Sequence, residues 1–335
     1  MQNLTETVQK SFLGKRIVIV GDLVADQFLH GTIARVSREA PVFILRHDET
    51  DTCAGGAANA AVNVASLGGE PILIGLTGQD PNGELLIEKL TKSGVDCDYV
   101  ISDKSFRTTT KVRVLAGQHY APRQQVIRID YENQAEISAE SQEKLRDNLT
   151  VAGERADAII ISDYNYGVAN SELAGLARSI SKRRGIPLLI DSRFRLRDFP
   201  NATTATPNQE EVEQILGKNF TTENCAKLRE DLGLESLLVT CGNKGMLLVE
   251  RDRPPLRIEA IGSAEPIDVT GAGDTVIAVY ALGLASELSF SEAARIANHA
   301  GGIVVMKKGT ASVNTAELVE SIKAGERFFT SDSRS

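Results

Sequence analysis

Asp268-Val269-Thr270-Gly271-Ala272-Gly273-Asp274-Thr275 is the stretch whose residue types and spacing point most directly to chemistry. Two glycines frame an alanine, and an aspartate follows at once. Apolar Val276, Val279, Tyr280 and Leu284 then recur at helical spacing, which places the glycines at a helix N-terminus. Glycine lets the backbone approach a ligand closely, and the first amides of a helix have no partner within it. Those amides and the helix dipole attract an anion such as a phosphate. A carboxylate beside an anion site needs a separate task. Two readings of Asp274 stay open: it takes the proton from a hydroxyl that attacks the phosphate, or it complements the helix start as acidic residues commonly do.

Such residues need a scaffold that gathers them. Arg16–Gly21 is a short β-branched apolar run ending in glycine, as in a buried parallel strand. It leads into Asp22 and Asp26, at the strand end where open α/β sheets bind ligands, although either aspartate could simply form a turn. Residues from about 27 to 46 read as short strands among turn residues. Gly55-Gly56-Ala57-Ala58-Asn59 opens a helix to about Leu67. Asn59 and Asn63 share one face of it, suited either to gripping sugar hydroxyls or to buried hydrogen bonding. After a buried strand from Pro71 and a helix from Glu84 to Ser93, a second group of short strands covers about 108 to 130, divided by the polar loop Gly117–Arg123. Strands then begin near Ala158, Pro187, Thr203 and Ser236, each ending in polar residues, with Met246–Glu250 completing a hairpin. Helices fill Asp274 to about Glu287, Ser291 to about Lys307 and Asn314 to about Ala324. This pattern predicts an α/β fold with a mostly parallel central sheet and helices on both faces, in one domain over residues 1–330. Residues 331–335 read as a disordered tail.

The 335 residues are 42% hydrophobic and 24% charged, an ordinary globular balance. A net charge of −8, with no basic run, argues against a nucleic-acid surface. Cys53, Cys97, Cys225 and Cys241 are far apart and form no CxxC pair, so they read as reduced thiols of a cytoplasmic protein. The polar N-terminus lacks a signal-peptide core, and no apolar run reaches the length of a membrane span.

Taken together, an early Gly55-Gly56-x-x-Asn59, a middle Asn208-x-x-Glu211 and a late Gly271-Ala272-Gly273-Asp274 on a strand–helix scaffold resemble the ribokinase-like sugar kinases of the PfkB family. The resemblance runs from Arg16 to about Ala324. No Walker GxxxxGK[ST] occurs, and no GxGxxG follows the first strand. The resemblance implies that Asp274 is the catalytic base and that Gly271, Ala272 and Gly273 form the anion hole for the transferring phosphoryl group. It implies that Asn208 and Glu211 organise Mg²⁺, water and the ATP phosphates, with Glu211 reaching the metal through water. Thr240, Gly242 and Gly245 would line the nucleotide, and Asn298 would lie in the helix flanking the adenine. Asp26, Gly55, Gly56 and Asn59 fall at the sugar end. The two short-strand groups match a β-lid, which closes over the sugar and implies a homodimer. ATP and Mg²⁺ are the implied cofactors, with room for a monovalent cation such as K⁺.

Within the family, the chain is most similar to the heptose 7-phosphate kinases of lipopolysaccharide-core precursor synthesis, often one half of a bifunctional heptose kinase/adenylyltransferase. Ser37-Arg38-Glu39-Ala40-Pro41-Val42, Thr110-Lys111-Val112-Arg113-Val114 and Gln124–Asp130 in the lid carry this resemblance, with Ser162-Asp163-Tyr164 beyond it. It implies transfer to D-glycero-D-manno-heptose 7-phosphate, giving the 1,7-bisphosphate. Lys111, Arg113 and Arg128 would then reach the substrate phosphate, or else stand on solvated strand faces. Two positions depart from the subgroup: Tyr166 replaces a lysine, and Asp191-Ser192-Arg193 replaces Asp-Pro-Lys, so Arg193 keeps a cation in another geometry. The length leads us to expect a separate adenylyltransferase. A kinase for another sugar, sugar phosphate or nucleoside is the first alternative, and a non-catalytic sensor is the second.

Overall fold

The apolar run at residues 16–21 becomes the strand around which the large sheet is built. In the computed structural model, which describes residues 4–118, 123–133, 136–263 and 265–332, the strands are β1 (Arg16–Gly21), β2 (Leu23–Val36), β3 (Phe43–Gly56), β4 (Glu70–Gly78), β5 (Val100–Asp103), β6 (Thr109–Gly117), β7 (Gln124–Tyr131), β8 (Ala158–Asp163), β9 (Leu188–Ser192), β10 (Thr204–Ala205), β11 (Ser236–Thr240), β12 (Met246–Glu250) and β13 (Leu256–Ile258). The helices are α1 (Leu4–Glu6), α2 (Ala57–Ser66), α3 (Pro81–Lys92), α4 (Ala139–Gly153), α5 (Ser171–Arg184), α6 (Gln209–Leu216), α7 (Thr222–Asp231), α8 (Ala272–Ala285), α9 (Phe290–Val304) and α10 (Thr315–Asp332).

The large sheet has the order β13-β12-β11-β10-β9-β8-β1-β4-β5. Neighbours are parallel from β5 across to β11, and only β12 and β13 turn back antiparallel. Side chains of β1 alternate between two cores. Ile17 and Ile19 pack with α2, α8, α9 and α10, while Val18 and Val20 pack with α4, α5 and α7. Both faces are therefore dry, which is why these strands read as unbroken apolar runs. Each fully buried Ile or Val contributes roughly 1.5–3 kcal/mol.

The second, smaller sheet, β3-β2-β6-β7, is built from the two strand groups expected to form a lid. Its strands are longer than the sequence pattern suggests: β2 and β3 have 14 residues each. They start inside the core and run out of it without a break. Val24 is 1% exposed, whereas Val36 at the far end is 57% exposed. Register shifts at His30/Gly31 and Ile33/Arg35 bend the pair, so residues that read as turns are bulges. Residues 119–122 of the expected loop between β6 and β7 lie outside the described residues. Helices α4 and α7, not anticipated from the sequence, cover the second core. The last helix continues to Asp332, and residues 333–335 of the expected tail lie outside the described residues. No helix among the described residues is long and apolar enough to cross a membrane.

Candidate active site

Helix α8 begins with Gly271 as its N-cap, in the left-handed region at φ 79°, ψ 5°, and no side chain caps it. A Cβ at Gly271 would lie 2.5 Å from Asn59 Nδ2 and 2.9 Å from Thr310 Cγ2, so glycine is needed for space as well as conformation. The Ala272 N–H turns back to Val269 O at 3.3 Å. No protein acceptor faces the N–H of Gly271 or Gly273 among the described residues, which leaves these two donors to an anion. Asp268 fixes the approach to this turn, accepting from Thr270 N at 2.9 Å and from Gly309 N at 3.0 Å.

Asp274 follows in the first turn and is 2% exposed. Its Oδ2 accepts from Asn59 Nδ2 at 2.9 Å and its Oδ1 from the Tyr164 hydroxyl at 2.7 Å. Burial pushes this carboxyl up to about 6, and the Asn59 and Tyr164 hydrogen bonds resist. A carboxylate titrating near there can accept a proton at neutral pH and release it again. Asn59 is thus turned to the Asp274 carboxyl and to Gly271 O (3.3 Å), and Asn63 holds it by donating to Asn59 O at 3.0 Å. Both asparagines are buried and hydrogen-bonded within the protein.

Asp22, left open by the sequence between a ligand contact and a turn, is turned into the protein. The loop after β8 turns through Asn165 (φ 63°) and Gly167 (φ 100°), and this converges three amides on one carboxylate. Asp22 accepts from Tyr164 N at 2.8 Å, Tyr166 N at 3.0 Å and Val168 N at 3.0 Å. Asp26 does face the cleft, where it pairs with Arg113 of β6 and accepts from the Thr310 hydroxyl at 3.5 Å. A Cβ at Gly55 would lie 2.3 Å from Asp26 Oδ2, so Gly55 supplies the room for that carboxylate.

The four cations expected to meet a substrate phosphate separate into two kinds. Arg113 is neutralised by Asp26, and Arg128 by Asp130 through two 2.9 Å hydrogen bonds. Lys111 and Arg193 have no carboxylate partner among the described residues. Lys111 is only 6% exposed, with Nζ 5.4 Å from the ring centroids of both Tyr164 and Tyr166. Arg193, in the loop after β9, places its guanidinium carbon 5.2 Å from the Tyr164 ring centroid. Burial, then the charge of Arg193, holds the Lys111 ammonium below its ordinary value, against the pull of Asp26 and Asp130.

At the other end of the cleft, Asn208 caps α6 in a reciprocal box: Glu211 N donates to Asn208 Oδ1 at 2.9 Å and Asn208 N to Glu211 Oε2 at 2.8 Å. Burial pushes Glu211 up to about 7. Asp191 at the end of β9, given no role by the sequence reading, is raised well above the carboxylate range by burial and then by Glu211 and Asp274. Thr240 N donates to Pro207 O at 3.0 Å, which ties the β11 end to the α6 start. Gly245 sits at φ 80°, where a Cβ would meet Ile258 O at 1.9 Å. Asn298 on α9 donates to Glu259 O at 2.7 Å. Asn208, Glu211, Thr240, Gly242, Gly245, Asn298, the 271–274 turn, Asp26, Gly56, Lys111, Arg113, Arg128 and Arg193 all line one cleft of ≈ 900 Å³. Gly55 and Asn59 stand behind its wall. Tyr164, whose hydroxyl donates to Asp274, is not among the site residues expected from the sequence. Its sequence signals are its place just past the end of a buried strand and its membership of the Ser162-Asp163-Tyr164 match, neither of which gives it a role.

The pattern of the pfkB family carbohydrate kinases matches residues 15–317. The chain is 38% identical over 316 residues to bifunctional protein HldE of Pasteurella multocida (strain Pm70), covering 93% of this chain and 64% of that protein. It is 39% identical over 314 residues to bifunctional protein HldE of Histophilus somni (strain 129Pt), covering 92% and 63%. The chain therefore spans just under two thirds of the length of these relatives. Arabidopsis thaliana ribokinase, solved with ribose and ATP, superposes with a TM-score of 0.70 at 22% identity, covering 93% of this chain and 99% of that one. Escherichia coli phosphofructokinase-2, solved with potassium, gives 0.75 at 19% identity, covering 92% and 98%. At such identities the likeness is one of fold. The family match is broader: it begins just before β1 and ends in α10, so it takes in every element that contributes to the cleft. The chain belongs to the pfkB family of carbohydrate kinases, with a ribokinase-like fold.

Proposed function

We propose that the protein transfers the γ-phosphoryl group of ATP to the anomeric hydroxyl of D-glycero-D-manno-heptose 7-phosphate, giving the 1,7-bisphosphate. The observation that carries the sugar-phosphate part is the pair Lys111 and Arg193, two cleft-lining cations that form no direct ion pair with a carboxylate among the described residues. An already phosphorylated substrate supplies an anion for them to pair with. The lid resemblance and the identity to the HldE proteins support the heptose.

Asp274 takes the proton from the attacking hydroxyl, while the N–H groups of Gly271 and Gly273 stabilise charge on the transferring group. Positioning and charge stabilisation are most of what phosphoryl transfer requires. Mg²⁺ would be held at the nucleotide end, where Glu211 and Asp191 both line the cleft and the charge of Glu211 adds to burial in raising Asp191. Glu211 would hold the ion through water, and the ion would neutralise charge on the ATP phosphates. The same reading includes a role for a monovalent cation such as K⁺.

ADP release with ATP and Mg²⁺, with and without K⁺, across a panel of sugars and sugar phosphates tests the assignment. Turnover confined to heptose 7-phosphate is the expected result. Turnover on fructose phosphates, ribose or nucleosides alone would reassign the sugar end. The one observation on the side of another sugar phosphate is Tyr166, which replaces a lysine of the subgroup and whose hydroxyl donates to Glu132 at 3.2 Å.

The reading also includes a homodimer through the lid. Its support is the apolar surface there: Phe43, Val126, Ile127 and Ile129 are 61%, 48%, 54% and 41% exposed. Light scattering should give twice the chain mass at micromolar concentration, and a monomer would remove this part.

A further inference from the structure

We propose that Tyr164 is a positioning residue for the base, holding the Asp274 carboxyl from the side opposite Asn59, and that Asp22 is the anchor that keeps Tyr164 in place. The inference rests on Asp274 being the base of the transfer.

The Asp274 carboxyl is gripped on both oxygens, by Asn59 on Oδ2 and by the Tyr164 hydroxyl on Oδ1. Two donors on opposite oxygens fix the carboxyl's rotation and leave one set of lone pairs for a substrate hydroxyl. The Tyr164 ring is itself confined. Gly56, at φ 60°, has no Cβ, and one placed there would lie 3.4 Å from ring carbons Cδ2 and Cε2. Lys111 and Arg193 both pack on the ring. The backbone behind it is held by Asp22, 1% exposed, whose carboxylate takes the N–H groups of Tyr164, Tyr166 and Val168. A carboxylate offers four acceptor sites, so it can take three amides at once, which a neutral amide side chain cannot. The chain of contacts is Asp22, the 164–168 turn, the Tyr164 hydroxyl, Asp274. Among the described residues, none of these hydrogen bonds reaches Asn208, Glu211, Thr240, Gly242, Gly245 or Asn298.

The charged and titratable groups facing Asp274 and Tyr164 are Asp26 from β2, Lys111 from β6, Asp191 from β9 and Arg193 beyond it. Of these, Asp26 raises the base and Arg193 lowers it, and substitution at Tyr164 changes neither. A donor hydrogen bond to a carboxylate favours its charged form, so deleting the hydroxyl raises the base further. Asp274 acts deprotonated, so activity climbs with pH through its titration. In Tyr164→Phe the acidic limb of kcat/KM should move to higher pH by about one unit, a tenfold loss on the limb, with most activity recovered at alkaline pH. The KM for ATP should not change.

Asp22→Asn leaves amides of the 164–168 turn without acceptors, and kcat should fall. If Asp22 acts through Tyr164, Asp22→Asn should cost at most about threefold more in the Tyr164→Phe background than Tyr164→Phe costs alone. An acidic limb unmoved in Tyr164→Phe overturns the proposal, and because the ring is retained, this variant keeps the test available even if Asp22→Asn does not fold. Fully multiplicative losses in the double variant overturn the part played by Asp22. The two levels of failure separate. An active Asp274→Asn enzyme would remove the base assignment and this inference with it, whereas an inactive one beside an unmoved limb would remove this inference alone.

Discussion

Asp274→Asn is expected to lower kcat by about 10²–10⁴-fold with the affinity for ATP retained. The substitution removes the proton acceptor and little else. An asparagine at 274 can be fully satisfied: its carbonyl oxygen accepts from Asn59 Nδ2, and its amide donates to the Tyr164 oxygen, which rotates its proton away. Asn59 has no need to flip, because its own oxygen is already held by Asn63 at 3.2 Å. The fold should gain from the change. Burial raises the Asp274 carboxyl from its ordinary 3.8 to about 6, so the folded protein binds this proton more tightly than the unfolded chain does. The sign follows: the cost of the charged form is absent below about pH 4, grows between 4 and 6, and is fully present above 6. It amounts to about 3 kcal/mol. Denaturant unfolding should therefore find Asp274→Asn more stable than the parent at pH 8, with the gain shrinking towards pH 5. A kcat within tenfold of the parent would sink the assignment of the base, and equal stability at pH 8 would sink the account of its burial.

The parts of this site that are local in sequence were legible, and the parts that depend on distant partners were not. Gly271-Ala272-Gly273-Asp274 and Asn208-x-x-Glu211 each build a helix start within one turn, so their geometry is fixed by neighbours in the chain. The unbroken apolar runs at 16–21 and 158–162 likewise state that both faces of the sheet are covered. Asp22 stays ambiguous in the sequence because a strand-end aspartate looks the same whether it faces a ligand or three amides 142 to 146 residues away. Tyr164 gains its meaning from a residue 110 positions later. Arg113 and Lys111 are adjacent alternates on one strand, and only the partner of Arg113, 87 residues away, tells them apart. The pairing of Arg128 with Asp130 was readable, since residues two apart share a strand face. Helix α4 also carried a local signal. Ser138 caps it by accepting from Ser141 N, and Leu145 and Leu149 follow at helical spacing.

Lys111→Met should raise the KM for the sugar phosphate roughly 10²-fold while leaving the KM for ATP unchanged. Lys111 is an ammonium buried between two tyrosine rings with no ion-pair partner among the described residues, and a fold has no reason to keep such a charge on its own account. Methionine matches its length and lacks its charge, so the free protein should unfold no more easily, and the loss should appear only when the anionic substrate binds. Arg193→Met should act in the same direction. If both cations hold one phosphate, the double variant should lose less than the product of the two single losses, because neither side chain alone forms the complete site. Arg128→Met is the control. Its guanidinium is already satisfied by Asp130, so its removal should change the KM for the sugar phosphate by no more than about threefold. The discriminating readout is the ratio of kcat/KM for the phosphorylated sugar to that for its unphosphorylated counterpart. Lys111→Met should collapse that ratio and Arg128→Met should preserve it. The reverse pattern would move the phosphate to the outer lid strand, and no change in either variant would remove the reason for reading the substrate as phosphorylated. The kinase assignment would survive that result, because it rests on the family match over residues 15–317 and not on what the lid cations bind.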